Sequence, residues 1–277
     1  MTTYAERQKE AALRDEVVRV CRLMWEKGFV AASDGNVSVR LGKDRLLTTP
    51  SGVSKGFISA SDVVLIDMDG KPVGPVRHGE EPSKPSSEIL LHLEVYRQRP
   101  DVEAVVHAHP PLAIAFTIAG IALTQCVLPE VIVNLGSIPT TAYATPATPE
   151  GPVVIRDLIR HHDALIIDRH GSVTVGKTLF EAYMKLEKVE HLAQVTLAAR
   201  QLGRVAELPP AEVRKLVAMR RKALGLPPEY EGPGCVHCGA CGKTTEGNSS
   251  SVSDVADEDL VRHVAEAVAR EVRKQLA

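Results

Sequence analysis

The sequence predicts a layered α/β sheet domain over residues 1–228, on three observations. Helix-period and strand-like segments interleave along the chain, Gly, Pro and Ser punctuate their junctions, and no internal repeat is visible. A chain of 277 residues with 44% hydrophobic side chains can bury one sizeable core. Residues 5–27 place Leu13, Val17, Val20, Cys21 and Met24 at helical spacing and stop at Gly28, the pattern of a C-capped amphipathic helix. Between Asn36 and Met68, strand-like runs at 37–41 and 63–67 are separated by Gly, Pro and Ser and followed by the turn Asp69-Gly70. Ser86 or Ser87 is expected to cap a helix that carries Glu88, Leu91, His92 and Val95 and ends before Pro100. A strand over 102–109 is closed by Pro110-Pro111, and a second, 164–168, leads into Arg169-His170-Gly171. The last long helix of the domain runs through Leu179, Ala182, Leu186, Val189, Ala193 and Leu197 to Gly203.

Composition narrows the function. A formal net charge of -2 with scattered charges offers no broad basic surface for nucleic acid, so any phosphate is bound locally. The N-terminus lacks an apolar secretory core and no stretch approaches the roughly 20 apolar residues that span a bilayer, so a cytoplasmic protein is expected. Cys21 and Cys126 sit alone in apolar surroundings, which is not a secreted disulfide framework.

The chemistry lies in the histidines. Alternate side chains of a strand share a face, so His107 and His109 can present both imidazoles to one ion. Two same-face surface or hydrogen-bonded histidines are the plain alternative. His170 is the third candidate, at the end of a strand where open sheets gather functional side chains, whereas His161-His162 diverge and read as a solvated helix end. Zinc on three imidazoles keeps an open position for a substrate oxygen and acts on it as a Lewis acid. Glu88, at a helix start, is the candidate proton acceptor; its plain alternative is a first-turn acid favoured by the helix dipole. The loops 33–38, 49–52 and 85–87 hold the hydroxyls, amides and glycines that cradle a phosphate, and each alone is equally turn chemistry. Lys55 is either a cationic helper or a solvated side chain.

The ordered set Gly35-Asn36-Val37-Ser38, Thr49-Pro50-Ser51-Gly52, Pro85-Ser86-Ser87-Glu88, Arg99-Pro100-Asp101, His107-Ala108-His109-Pro110 and His170-Gly171 resembles the class II aldolase/adducin family over roughly residues 10–205. The resemblance implies a three-layer α/β/α fold on a mixed, largely antiparallel sheet and a homotetramer with active sites between subunits. It implies one Zn2+ per chain on His107, His109 and His170, with Glu88 at the metal as acid/base, and phosphate contacts at Asn36, Ser51, Gly52, Ser86 and Ser87. The implied reaction is cleavage of a deoxy-ketose 1-phosphate such as L-fuculose 1-phosphate to dihydroxyacetone phosphate and L-lactaldehyde. Family epimerases carry aspartate where this chain has Glu88, which favours the aldolase over the epimerase; a dehydratase of the same fold stays open. A non-catalytic adducin-like interaction module is the alternative from another class, and the loss of ligands expected there is not seen. One departure stands out: the family's aldehyde-protonating tyrosine has no counterpart near 128–130, and Glu130 or the later Tyr143 is the candidate substitute, with the role unassigned.

Beyond Pro228 the composition shifts. Residues 229–256 read as a flexible linker holding Cys235, Cys238 and Cys241, either a second metal or Fe-S site or a mobile thiol-rich segment. Residues 257–277 place Leu260, Val264, Val268, Val272 and Leu276 every four residues, an amphipathic helix. It resembles the encapsulation peptides that dock enzymes onto bacterial microcompartment shell proteins; packing on its own enzyme is the alternative.

Overall fold

The computed structural model describes residues 3–73 and 83–226. Helix α1 (Tyr4–Glu26) is started by a capping box, with the Thr3 side chain accepting from Glu6 N while Glu6 accepts from Thr3 N at 2.7 Å. It buries Val17, Val20, Cys21 and Met24, the stripe its spacing predicts, and the chain leaves it through Gly28 at φ +71°. Three strands follow, β1 (Asn36–Arg40), β2 (Arg45–Thr48) and β3 (Val64–Asp67), then α2 (Ile89–Gln98), β4 (Ala104–Ala108), α3 (Pro111–Ile118) and α4 (Pro129–Asn134). The chain continues through β5 (Thr140–Thr141), α5 (Glu150–Ile159), β6 (Ala164–Ile167), β7 (Gly171–Gly176), α6 (Leu179–Leu202) and α7 (Pro210–Leu224).

The strands form one seven-stranded sheet in the order β3-β2-β1-β4-β7-β6-β5. Every neighbouring pair is antiparallel except β5 with β6, so the sheet is mixed and largely antiparallel. Both faces are covered. Val37 and Val39 of β1 and Ala104, Val106 and Ala108 of β4 pack against α1 and α6. Their alternates turn the other way: Val105 of β4, Leu165 and Ile167 of β6, and Val173 and Val175 of β7 pack against α2 and α5. The result is the three-layer α/β/α arrangement, and the central strands β4 and β7 are buried on both faces, which is why β4 begins as an apolar run rather than an alternation.

Two expectations need correction, and one strand carried no expectation. Neither Ser86 nor Ser87 caps α2: the cap position is Glu88 itself, without a side-chain cap bond, and Ser86 Oγ accepts the Glu88 N–H at 3.3 Å one step earlier. The carboxylate is directed elsewhere, as described below. Of the pair His161-His162, only His161 is exposed; His162 is buried because the chain turns from α5 straight into β6 and carries it inward, 3.5 Å from Ser137. The strand β7 was missed because 171–176 carries Gly, Ser and Thr, residues that read as loop until the pairing with β4 and β6 is known.

The linker at 229–256, the cysteines Cys235, Cys238 and Cys241, and the helix expected at 257–277 lie outside the described residues. Among the described helices none is long and apolar enough to cross a membrane.

Candidate metal centre

Three segments distant in sequence meet at one end of the central strands. His107 is the penultimate residue of β4, paired with Asn36 of β1 on one side and Val173 of β7 on the other. It is fully buried, and its Nδ1 lies 2.9 Å from the Ser172 carbonyl oxygen. A carbonyl can only accept, so Nδ1 carries the proton and the lone pair is on Nε2. His109, just past the strand end, is held by its backbone N–H to Phe29 O at 2.8 Å. His170 sits in the tight turn between β6 and β7, its N–H bonded to Ile167 O. The three rings stand edge to face with centroids 4.9 to 5.0 Å apart.

Their nitrogens and the Glu88 carboxylate converge. His107 Nε2 is 3.1 Å from His109 Nε2 and 3.2 Å from Glu88 Oε2, and His170 Nε2 is 3.0 Å from Glu88 Oε1. One ligand atom from each of the four residues lies within 4.8 Å of all the others, a cluster that can hold a metal ion. A tetrahedral zinc ion with bonds of roughly 2.0–2.1 Å sets its ligand atoms about 3.3 Å apart, close to these separations. A further sign is the His170 Nε2 atom: it is buried and, although at ion-pair distance from Glu88, makes no directional hydrogen bond. A donor set of imidazole lone pairs and a carboxylate, with one buried nitrogen unpartnered, fits a divalent cation.

Electrostatics favour the same state. Burial alone would raise the Glu88 carboxyl, but the imidazoles of His107 and His170 at 3.2 and 3.0 Å outweigh it and hold the group well below the usual carboxylate range. Asn36 Nδ2 adds a donor to Glu88 Oε2 at 3.2 Å. His109 is pushed down to about 3, first by burial and then by the charges of His107 and His170, so it is neutral and able to ligate.

Close approach is needed to gather the rings. A Cβ at Gly171 would overlap the Ala108 carbonyl oxygen and stand 2.8 Å from His109 Cδ2 and 3.1 Å from His107 Cε1. Gly171→Ala is therefore expected to weaken metal retention at least tenfold while leaving the far core intact, which metal titration of the dialysed protein would measure. Gly35 is fixed by both backbone and space: φ is +72° and an added Cβ would lie 2.5 Å from Val30 Cγ1 and 3.0 Å from His107 O. Among the described residues, the non-glycine positions with left-handed backbone are Ala32, Ala147 and Arg169. They adjoin Ser33, line the cavity and precede His170 respectively, so strain gathers where the site is shaped.

Beside the cluster opens a cavity of about 400 Å³. The predicted phosphate residues Asn36, Ser51, Gly52, Ser86 and Ser87 all line it, together with Glu88, His109 and His170. Two of these loops are tied to each other by an isolated bridge between Pro50 and Pro85, with Ser86 N bonded to Thr49 O and Ser51 N to Lys84 O. Gly52 has φ +74° with open space around it, so backbone conformation rather than crowding calls for glycine. Glu130 and Tyr143 are exposed and line none of this cavity.

Sequence reasoning passed over the layer behind the site. On α2, Glu88, His92 and Tyr96 follow at intervals of four and face β1. His92, fully buried, lies 2.6 Å from Ser38 Oγ through Nδ1, and Tyr96 OH is 2.9 Å from the same oxygen. The i, i+4, i+8 spacing was the available signal. Burial, then the charge of His107, pushes His92 down to about 3 against the pull of Glu88. The unfolded chain protonates this residue near its ordinary value of 6.5 and the folded chain does not, so stability is lost as pH falls from 6.5 toward 3. His109 contributes with the same sign. The urea midpoint of metal-free protein should drop between about pH 6.5 and 4.5, and His92→Gln should flatten that slope.

The chain belongs to the class II aldolase and adducin N-terminal domain family, whose profile matches residues 15–197. It is 35% identical over 183 residues to an L-fuculose phosphate aldolase of Methanococcus vannielii, spanning 65% of this chain and 93% of that protein. A 3-oxo-tetronate 4-phosphate decarboxylase of Escherichia coli K12 is 29% identical over 190 residues, spanning 67% of this chain and 86% of that one. Among solved structures, the L-fuculose-1-phosphate aldolase of Thermus thermophilus superposes with a TM-score of 0.60 at 29% identity, covering 71% of this chain and 98% of that chain.

Proposed function

We propose that the protein is a zinc-dependent aldolase that cleaves a deoxy-ketose 1-phosphate such as L-fuculose 1-phosphate to dihydroxyacetone phosphate and L-lactaldehyde. The observation that carries this reading is the convergence of His107, His109, His170 and Glu88 on the wall of a cavity whose other walls are hydroxyl and glycine loops. A divalent cation held by the three histidines supplies Lewis-acid stabilisation of the negative charge that builds on the substrate's carbonyl oxygen. Asn36, Ser51, Gly52, Ser86 and Ser87 bind and orient the phosphate, which sets the C3–C4 bond against Glu88. In the cleavage direction the C4 hydroxyl gives its proton to water in the cavity, the C4 carbonyl forms as the C3–C4 bond breaks and its electrons pass through C3 toward the C2 oxygen, and Glu88, having taken a proton from water, delivers it to C3.

Decarboxylation is the second reading, supported by the relative in Escherichia coli K12 named as a decarboxylase. Loss of carbon dioxide from a 3-keto acid feeds electrons into the same kind of carbonyl sink, so the same donor set serves. Purified, zinc-loaded protein should be assayed with fuculose, rhamnulose and ribulose phosphates for dihydroxyacetone phosphate or other aldol products, and with 3-oxo-tetronate 4-phosphate for carbon dioxide. Aldol cleavage fastest on fuculose 1-phosphate is the expected result; carbon dioxide release alone transfers the site to the second reading.

A homotetramer with sites between subunits, as in the family, would bring a second chain to the open side of the cavity; a monomer by light scattering with full activity rejects it. For residues 257–277 the amphipathic spacing supports docking on a microcompartment shell protein, which would confine a reactive aldehyde product. Deleting them should spare turnover and abolish recruitment to co-expressed shells; inactive monomers would instead make the helix structural. The spacing of Cys235, Cys238 and Cys241 supports a second metal or Fe-S site, readable as metal in excess of one ion per chain or as iron absorbance.

A further inference from the structure

Lys55 is a buried cation without a carboxylate partner among the described residues. Only 1% of the residue is exposed, and its Nζ donates to the carbonyl oxygens of Ser33 at 2.7 Å and Val53 at 2.9 Å. Those bonds use two of three N–H groups and neutralise no charge. Asp34 and Glu88 are near enough to be felt, yet neither forms an ion pair with it among the described residues. A desolvated ammonium held only by neutral acceptors is costly unless a counter-ion arrives.

The cavity lies next to it. Lys55 is the one lysine or arginine among the described residues that line this space, which also carries the carboxylates of Asp34 and Glu88. A phosphate monoester brings a charge of about -1.5 to -2 at neutral pH. Hydroxyls and backbone amides orient such a group but leave most of that charge uncompensated. Lys55 is anchored on the same loops that build the cradle, at Val53, immediately after Ser51-Gly52, and at Ser33, before Asn36.

We propose that Lys55 is the counter-charge of the anionic head of the substrate, a preplaced ammonium that binds phosphate together with the Ser51-Gly52 loop. It is not a solvated side chain, and it does more than staple two loops. The proposal rests on the reading of the cavity as a phosphate site and adds the residue that fixes its preference for a charged over an uncharged substrate.

The test uses the zinc-loaded holoenzyme and inorganic phosphate as the probe, with binding followed by calorimetry and by competition against the sugar phosphate. Lys55→Met should weaken phosphate binding at least tenfold and raise KM for the phosphorylated ketose by a similar factor, with kcat changed much less and zinc content unchanged. Lys55→Arg should recover part of the affinity. Should the methionine variant be insoluble, Lys55→Gln, which removes the charge but keeps a donor, supplies the same measurement. Folded variants that bind phosphate as tightly as the parent overturn the role of Lys55 and leave the cavity assignment standing. A parent enzyme with no phosphate affinity overturns both.

Discussion

His109→Ala should yield a folded protein with almost no bound zinc and aldol cleavage reduced by roughly 10³-fold or more. The fold survives because His109 lies beyond the end of β4 with its side chain 21% exposed, outside the three apolar clusters. The site does not survive, because only two imidazoles and a carboxylate remain, and the exposed edge of the cluster opens to water. Losing several kcal/mol of transition-state charge stabilisation corresponds to about three or four powers of ten in rate. Elemental analysis beside steady-state kinetics reads both effects in one preparation. Full turnover by a zinc-free variant would reject the mechanism.

Glu88→Gln separates the proton carrier from the metal site. The substitution keeps volume and a hydrogen-bonding head beside Asn36 and His170, so zinc should stay near one ion per chain and KM should change little. Turnover should fall by about 10²–10⁴-fold, the usual share of a positioned acid/base. A more direct measurement is exchange of the C3 proton of dihydroxyacetone phosphate in deuterium oxide, which the parent should catalyse and the variant should not. Exchange at the parental rate would place the proton carrier elsewhere. Loss of zinc from the variant would make Glu88 a ligand first.

Much of this site could be read in the chain because its chemistry is carried by spacing. A His-X-His on a strand puts two imidazoles on one face whatever the partner strands are, and a serine-rich turn before a helix fixes where a carboxylate begins. His170 was a candidate from its place at a strand end, and its assignment to the same ion came from resemblance, since it lies 63 positions beyond His107 and no local periodicity links them. Ser172 was invisible for a simpler reason: it acts through its backbone carbonyl, and any residue offers one.

The sequence by itself determined the helices whose apolar stripes are regular, the layered α/β class and the candidate donors, since these depend on side-chain chemistry and short-range geometry. Only the tertiary structure decided that 171–176 is a central strand, that Gly171 lets the imidazoles of His107 and His109 close up, and that Lys55 is buried. Each of these depends on what another segment places alongside. Steric room and desolvation are properties of neighbours in space, and the order of residues along the chain does not contain them.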